Sequence, residues 1–216
     1  MDQASYVINV FNNHVNMAGL SGKLKGKTLL EIGPGDSVST AIVAACYGAR
    51  SILIDAGPYA ATDIARYHKL VEVLSRSGLY PPDISLATTI DEILVICDAR
   101  YLTQGLESFS FIETETVDFI FSQAVLEHVR KHEFLNTIHE CFRVLKLKGV
   151  ASHRIDLKDH LGGSLNNLRF NESIWESDFF VNSGFYTNRI RFPEMIALFK
   201  ETEWSVDVGK ITSWES

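Results

Sequence analysis

Apolar positions recur along the chain with two periods, one of three to four residues and one of continuous short runs. Tyr6, Val7, Val10, Phe11, His14, Val15 and Ala18 share one face of a helix over residues 3 to 19, which Gly19 and "SGKLKGK" end. "TLLEI" is a short buried strand. A turn with Gly33 and Gly35 follows, then a helix in "SVSTAIVAACYGA", then the strand "SILIDAG", apolar until Asp55. Strand, turn, helix and strand in that order predict a parallel βαβ unit. Residues 59 to 77 read as a second helix closed by Gly78, and "YPPD" breaks the chain because proline fixes φ and has no N–H to donate.

The spacing of Ile90, Ile93, Leu94, Cys97 and Tyr101 predicts a helix over 89–98 and a short strand at 100–103, although "ILVIC" alone also passes for a strand ending at Asp98. "TVDFIFS" is a strand, "VLEHVRKHEFLNTIHECFRVLK" one long helix, and "GVASHRID" another strand. "FPEMIALFKET" is a helix with proline in its first turn, and "WSVDVGKITSW" a last strand. Six strands alternating with helices, without repeat or linker, predict an α/β fold: a doubly wound, mostly parallel sheet with helices on both faces. Ligands are then expected at the carboxyl ends of the strands.

Composition narrows the picture. With 216 residues, 46% hydrophobic and 22% charged, the chain suits one soluble α/β domain, and no stretch reaches the length of a membrane span. The net charge of −7 recommends neither nucleic acid nor an anionic membrane, and "GKLKGK" reads as a solvated turn. Cys46, Cys97 and Cys141 are far apart and each lies in an apolar run, as expected of reduced, buried thiols in a cytoplasmic protein. The N-terminus has an acid at position two and four interrupting Asn residues, unlike a signal peptide.

The turn "LLEIGPGDSVS" carries the chemistry. A Gly-x-Gly bend between strand and helix can cradle a pyrophosphate, a nucleoside or nothing. The dinucleotide pattern asks for a third glycine where Val38 stands, which disfavours NAD, and the ending of a phosphate-binding loop is absent. Glu31, two residues before Gly33, suits a ligand carrying ammonium and sulfonium charge, and this favours S-adenosylmethionine. Asp55, 20 residues after Gly35, can accept both ribose hydroxyls of either cofactor.

These residues resemble the class I S-adenosylmethionine-dependent methyltransferases. "LLEIGPGD" is similar to their first motif, "LIDAG" to the acidic end of their second strand, "VDFIFSQAVLEHV" to their fourth strand and following loop, and "RVLKLKGVASHRIDL" to the turn into their fifth. The resemblance implies a methyl donor lying across the strand ends. Its cofactor contacts are then Glu31, Gly33, Pro34, Gly35, Asp36, Asp55, Ala56, Leu106, Ser122 and Gln123, with the reactive methyl near the last two. A third glycine common in the family is Ser37 here, the acid that binds the adenine has Gln104 and Gly105 in its place, with Asp98 fitting only if "ILVIC" is the strand, and the family's seventh, antiparallel strand has no counterpart. The resulting organisation is one methyltransferase-like domain over 1–216. It comprises an N-terminal helix and turn (1–27), a cofactor-binding core (28–156), a substrate-side insertion (157–192) and a last helix and strand (193–216).

Methyl transfer to a hydroxyl needs a proton acceptor or a metal. The segment "SHRIDLKDHLGGSLNNLRF" supplies His160 as general base, oriented by Asp156 or Asp159, with His128 as the second choice. A neutral imidazole at cellular pH suits this role. His153, Arg154, Asn166, Asn167, Arg169, Tyr186 and Arg189 are the substrate-side candidates, for a small-molecule or saccharide-like acceptor. His128 and His132 also have metal-pair spacing, but no metal is assigned. Glu127 and His128 read instead as the start and cap of the long helix, with His132 and His139 on its solvent face. His14 and His68 read as ordinary helix-surface residues. Two other readings remain at this point: a cofactor-binding module of the same fold without catalysis, and an NAD-dependent oxidoreductase.

Overall fold

The structure is a computed structural model and describes residues 3–213. The chain divides into two compact units, Met1–Val125 with Arg143–Arg154, and Leu126–Phe142 with Ile155–Ser216.

The first unit is built on β1 (Thr28–Ile32), β2 (Arg50–Ile54), β3 (Ala99–Leu102), β4 (Val117–Gln123) and β5 (Leu145–Arg154), ordered β3-β2-β1-β4-β5 and parallel throughout. Near-continuous apolar strands are what a sheet buried on both faces requires. Glu31 stands in register with Leu53 on one side and Phe121 on the other, so these three share a face. On that face Leu29, Leu53, Phe119 and Phe121 pack with α1 (Gln3–Met17), α2 (Ser39–Cys46), α3 (Ile64–Arg76) and α4 (Ile90–Ile96), through Phe11, Ile42, Tyr67 and Ile93 among others. The opposite face carries Leu30, Ile32, Ile52, Ile54 and Ile120, also buried. Truncating a side chain as enclosed as Phe121 to alanine costs about 3–5 kcal/mol in such a core.

Local signals explain the element boundaries. Over 89–98 the helical period prevails: the Thr89 hydroxyl accepts the Glu92 N–H, and the Glu92 carboxylate accepts the Thr89 N–H in return. Asp98 then falls in an exposed turn with φ of 50° beside Arg50, and the strand begins at Ala99.

The second unit contains α5 (Lys131–Val144, whose last two residues belong to the first unit), α6 (Glu172–Trp175), α7 (Asp178–Val181) and α8 (Phe192–Glu201). One cluster gathers Leu126, Phe134, Ile138, Ile190, Met195 and Phe199, and another Trp175, Phe180 and Tyr186. The aromatic run after residue 170 is therefore a packed core of its own.

Three expectations are corrected. Among the described residues the sheet has five strands, not six: 204–213 are irregular and mostly exposed, because the alternation of Val206 and Val208 finds no strand to pair with. The long helix starts at Lys131 rather than Val125, since residues 125–129 turn after Ala124, whose φ is 55°. His14 is not a surface residue but 5% exposed, and His68 is half-buried with Nε2 3.1 Å from the Ile84 carbonyl. The expected thiol burial holds for Cys97 and Cys141, with Cys46 half-buried, and all three are free. Among the described residues no helix is long and apolar enough to cross a membrane.

Candidate functional site

The turn after β1 is bare backbone by necessity. Gly33 has φ of 70°, and a Cβ there would lie 2.7 Å from Val125 Cγ1 and nearer still to Cγ2. Gly35, at φ of 68°, faces open space. Its N–H donates to Asp55 Oδ2 at 2.9 Å, while the Ala56 N–H donates to Oδ1 at 2.8 Å, so Asp55 at the end of β2 is clamped beneath the glycine turn. A carboxylate has about four acceptor positions, and two backbone donors leave room for a diol. Burial raises the Asp55 carboxyl above its ordinary value against the pull of these bonds. The turn after β3 joins the same edge: the Asp55 N–H donates to the Leu102 carbonyl and the Gly105 N–H to the Asp55 carbonyl. Leu106 follows it, half-buried.

Glu31 is 8% exposed, and among the described residues its Oε2 has no hydrogen-bond partner. Burial pushes its carboxyl from the ordinary 4.5 up to about 7; the Thr40 hydroxyl from α2 opposes this and the charge of Asp55 adds to it. A buried carboxylate oxygen left unpaired is costly, and a cationic ligand would supply what it lacks. Asp36 is exposed and paired with Arg66 at 3.1 Å. Pro34 is half-buried between the two glycines. Ser37, in place of a third glycine, is buried and accepts the Ser39 N–H, and among the described residues it is not one with positive φ.

At the ends of β4 and β5, register sets Ser122 beside His153 and Gln123 beside Arg154. Ser122 Oγ lies 2.8 Å from His153 Nδ1, and desolvation pushes the His153 imidazole down to about 4, keeping it neutral. On the other face His14 bridges Ser152, at 2.8 Å from Nδ1, and Gln123 Oε1, at 3.1 Å from Nε2, with its ring against Phe121. This histidine holds the Gln123 amide and was missed in the sequence. Its position on an apolar helix face was the available signal. Arg154 is exposed.

The second unit gathers its own polar cluster. Glu127, His128 and His160 each offer a ligand-type atom, all within 4.8 Å of one another. The two imidazole rings are 5.0 Å apart, and Asp156 Oδ2 is 3.9 Å from His160 Nε2. Glu127 is buried and accepts the Asp156 N–H at 3.0 Å, four residues before the first residue of the helix it was expected to cap. His128 donates Nδ1–H to the Tyr186 carbonyl at 2.6 Å; desolvation lowers its imidazole and that bond opposes the shift. Glu127 as a member of this group was missed. Its signal was the acid directly preceding a histidine after a strand.

Asp159 does not orient His160: it is buried and accepts the N–H groups of Leu161, Asn166 and Asn167. Asn167, Tyr186 and Arg189, expected on the substrate side, are instead engaged in packing. Asn167 is buried, Tyr186 is 1% exposed with its hydroxyl donating to Glu176, and the Arg189 guanidinium lies 4.4 Å over Trp175 while donating to the Phe170 and Asn167 carbonyls. Asn166 and Arg169 line an open cleft of about 670 Å³ with Leu161, Gly162 and Phe170. His132 and His139 are exposed on α5.

A family model described as a methyltransferase domain matches residues 30–152, more than half of the chain. No curated protein sequence matches it. Among solved structures, the chain is similar to the phosphoethanolamine N-methyltransferase 2 of Haemonchus contortus in complex with phosphomonomethylethanolamine and S-adenosylhomocysteine. The identity is 17%, the TM-score 0.51, and the match covers 88% of this chain and 36% of that one. It is also similar to the geranyl diphosphate C-methyltransferase of Streptomyces coelicolor A3(2) in complex with Mg2+, geranyl diphosphate and S-adenosylhomocysteine, at 13% identity and TM-score 0.51, covering 90% of this chain and 60% of that one. The chain therefore spans less than two thirds of either structure, and at these identities the likeness shows the fold.

Proposed function

Since the chain belongs to the methyltransferase domain family, within the class I S-adenosylmethionine-dependent methyltransferases, we propose that it transfers a methyl group from S-adenosylmethionine to an oxygen of a small or saccharide-like acceptor. The observation that carries the donor assignment is the acid-lined glycine turn: bare backbone at Gly33 and Gly35, Asp55 fixed beneath it, and the buried Glu31 with an oxygen that lacks a partner among the described residues. Gly33 to Gly35 would take the methionine part, Glu31 its cationic charge, and Asp55 the ribose hydroxyls. Leu106 would lie toward the adenine, and Ser122 and Gln123 toward the methyl. Both structures named above carry S-adenosylhomocysteine, which supports this donor.

Bound there, the donor supplies a methyl carbon already activated by a sulfonium, so the chain's own task is alignment and proton removal. We assign proton acceptance to His160, whose Nε2 lies 3.9 Å from Asp156 Oδ2. The half-buried Asn166 and exposed Arg169 offer polar contacts to an acceptor along the open cleft they line.

Calorimetric titration with S-adenosylmethionine, followed by turnover to S-adenosylhomocysteine across amine, carboxyl and hydroxyl acceptors, tests the reading. Micromolar binding and turnover only with hydroxyl acceptors is expected. Binding without any turnover identifies a catalytically inactive module, and binding of NADH in its place refutes the donor assignment.

A further inference from the structure

We propose that Glu127, His128 and His160 form a binding site for one divalent first-row transition cation. Two imidazoles and one carboxylate are a ligand set that such cations favour, and three protein ligands leave coordination positions open. Their ligand-type atoms already lie within 4.8 Å of one another. Tetrahedral ligation at about 2.0–2.1 Å places ligand atoms roughly 3.3 Å apart, so contraction by up to about 1.5 Å completes the site.

The surroundings prepare these groups as ligands. A carbonyl oxygen can only accept, so the 2.6 Å contact with Tyr186 puts the His128 proton on Nδ1 and leaves the lone pair on Nε2. Asp156 Oδ2 lies 3.9 Å from His160 Nε2, about an ångström short of the hydrogen bond by which a carboxylate would orient a metal-bound imidazole. Asp156 is itself tied to the cluster, because its N–H donates to the Glu127 carboxylate at 3.0 Å. Glu127 is 0% exposed, so burial holds its carboxylate in place. Asn188 fixes the same turn, donating its N–H to the Glu127 carbonyl and its side-chain amide to the Leu126 and Val129 carbonyls.

What the cation does rests on the oxygen-acceptor reading; that it binds does not. An acceptor hydroxyl on an open coordination position becomes more acidic, and its proton leaves to solvent water. In that state His160 is a ligand, and it acts as proton acceptor only in the metal-free protein.

The test is titration of the untagged, chelator-stripped chain with Co2+ followed by visible absorption, and with Zn2+ followed by calorimetry. One equivalent per chain is expected. His128→Ala and His160→Ala should each weaken binding by about tenfold or more, the least that loss of a direct ligand costs when outer partners alone cost 10–100-fold. His132→Ala, on the exposed side of α5, should leave it unchanged. Glu127 is avoided because its loss also removes a buried backbone contact. Absence of stoichiometric binding, or binding untouched by both His128→Ala and His160→Ala, overturns the inference. Calorimetry of the same samples with S-adenosylmethionine reads the donor assignment separately, and thermal melting of each variant shows that it is folded.

Discussion

Glu31→Gln isolates the carboxylate on which the donor assignment leans. In the folded protein burial raises this carboxyl from 4.5 to about 7. The folded state therefore holds its proton more tightly than the unfolded state, and stability falls as pH climbs from 4.5 through about 7, then levels off. At about 1.4 kcal/mol per tenfold, the full span corresponds to about 3 kcal/mol, and the part between about pH 5 and pH 8 to about 2.5 kcal/mol. Glutamine keeps an acceptor for the Thr40 hydroxyl and does not titrate. Whatever fixed cost its amide brings is the same at both pH values.

The gap between variant and wild type should therefore shift in favour of the variant by about 2.5 kcal/mol on going from pH 5 to pH 8. For a chain of this size that is a relative gain of about 5–10 °C in melting temperature. The assay is paired thermal or urea unfolding at the two pH values. A gap independent of pH would refute the claim that Glu31 is buried, titrates near neutrality and lacks a compensating cation in the free protein. The same carboxylate should make S-adenosylmethionine binding strengthen as pH rises through about 7, because the charged form holds the donor, and Glu31→Gln should flatten that dependence in calorimetry.

Other substitutions probe the remaining parts. Gly33→Ala places a Cβ against Val125 at a φ of 70°, so it should lower stability by about 1–3 kcal/mol and abolish donor binding; wild-type melting and affinity would contradict the cradle. Asp55→Asn should weaken donor affinity about tenfold or more in calorimetry, since an amide supplies a donor where two backbone N–H groups and a diol need acceptors. In the metal-free protein His160→Ala should lower turnover on a hydroxyl acceptor by about 10²–10⁴-fold with donor affinity unchanged, and unaltered turnover would remove it as proton acceptor. Burial pushes the Cys97 and Cys141 thiols up to about 12, so folded protein should react slowly with a thiol reagent below pH 9 and quickly once unfolded; fast labelling of the native chain at these two positions would contradict the packing.

The glycine turn was legible because its determinants lie side by side. "TLLEI", Gly33, Gly35 and the next apolar strand specify a βαβ unit within 27 residues, and Asp55 falls at its end. What escaped the sequence depends on distant partners. His14 sits on an apolar face, yet its bonds reach residues 109 and 138 positions away, so its burial could not be read locally. Glu127 and His128 meet His160 only because the chain returns after β5. Asp156 and Asp159 looked interchangeable in sequence, and only the folded loop shows that Asp159 is consumed by three backbone donors. The alternation near Val206 had strand chemistry without a strand to join, whereas the start of α5 was displaced by the turn at Ala124.

The most direct test of the account is a crystal structure of the chain with S-adenosylhomocysteine. The nucleoside should lie over Gly33–Gly35, with its ribose hydroxyls on Asp55 and its amino acid part toward Glu31. Density for the ligand elsewhere, with that turn bare at saturating concentration, would contradict it.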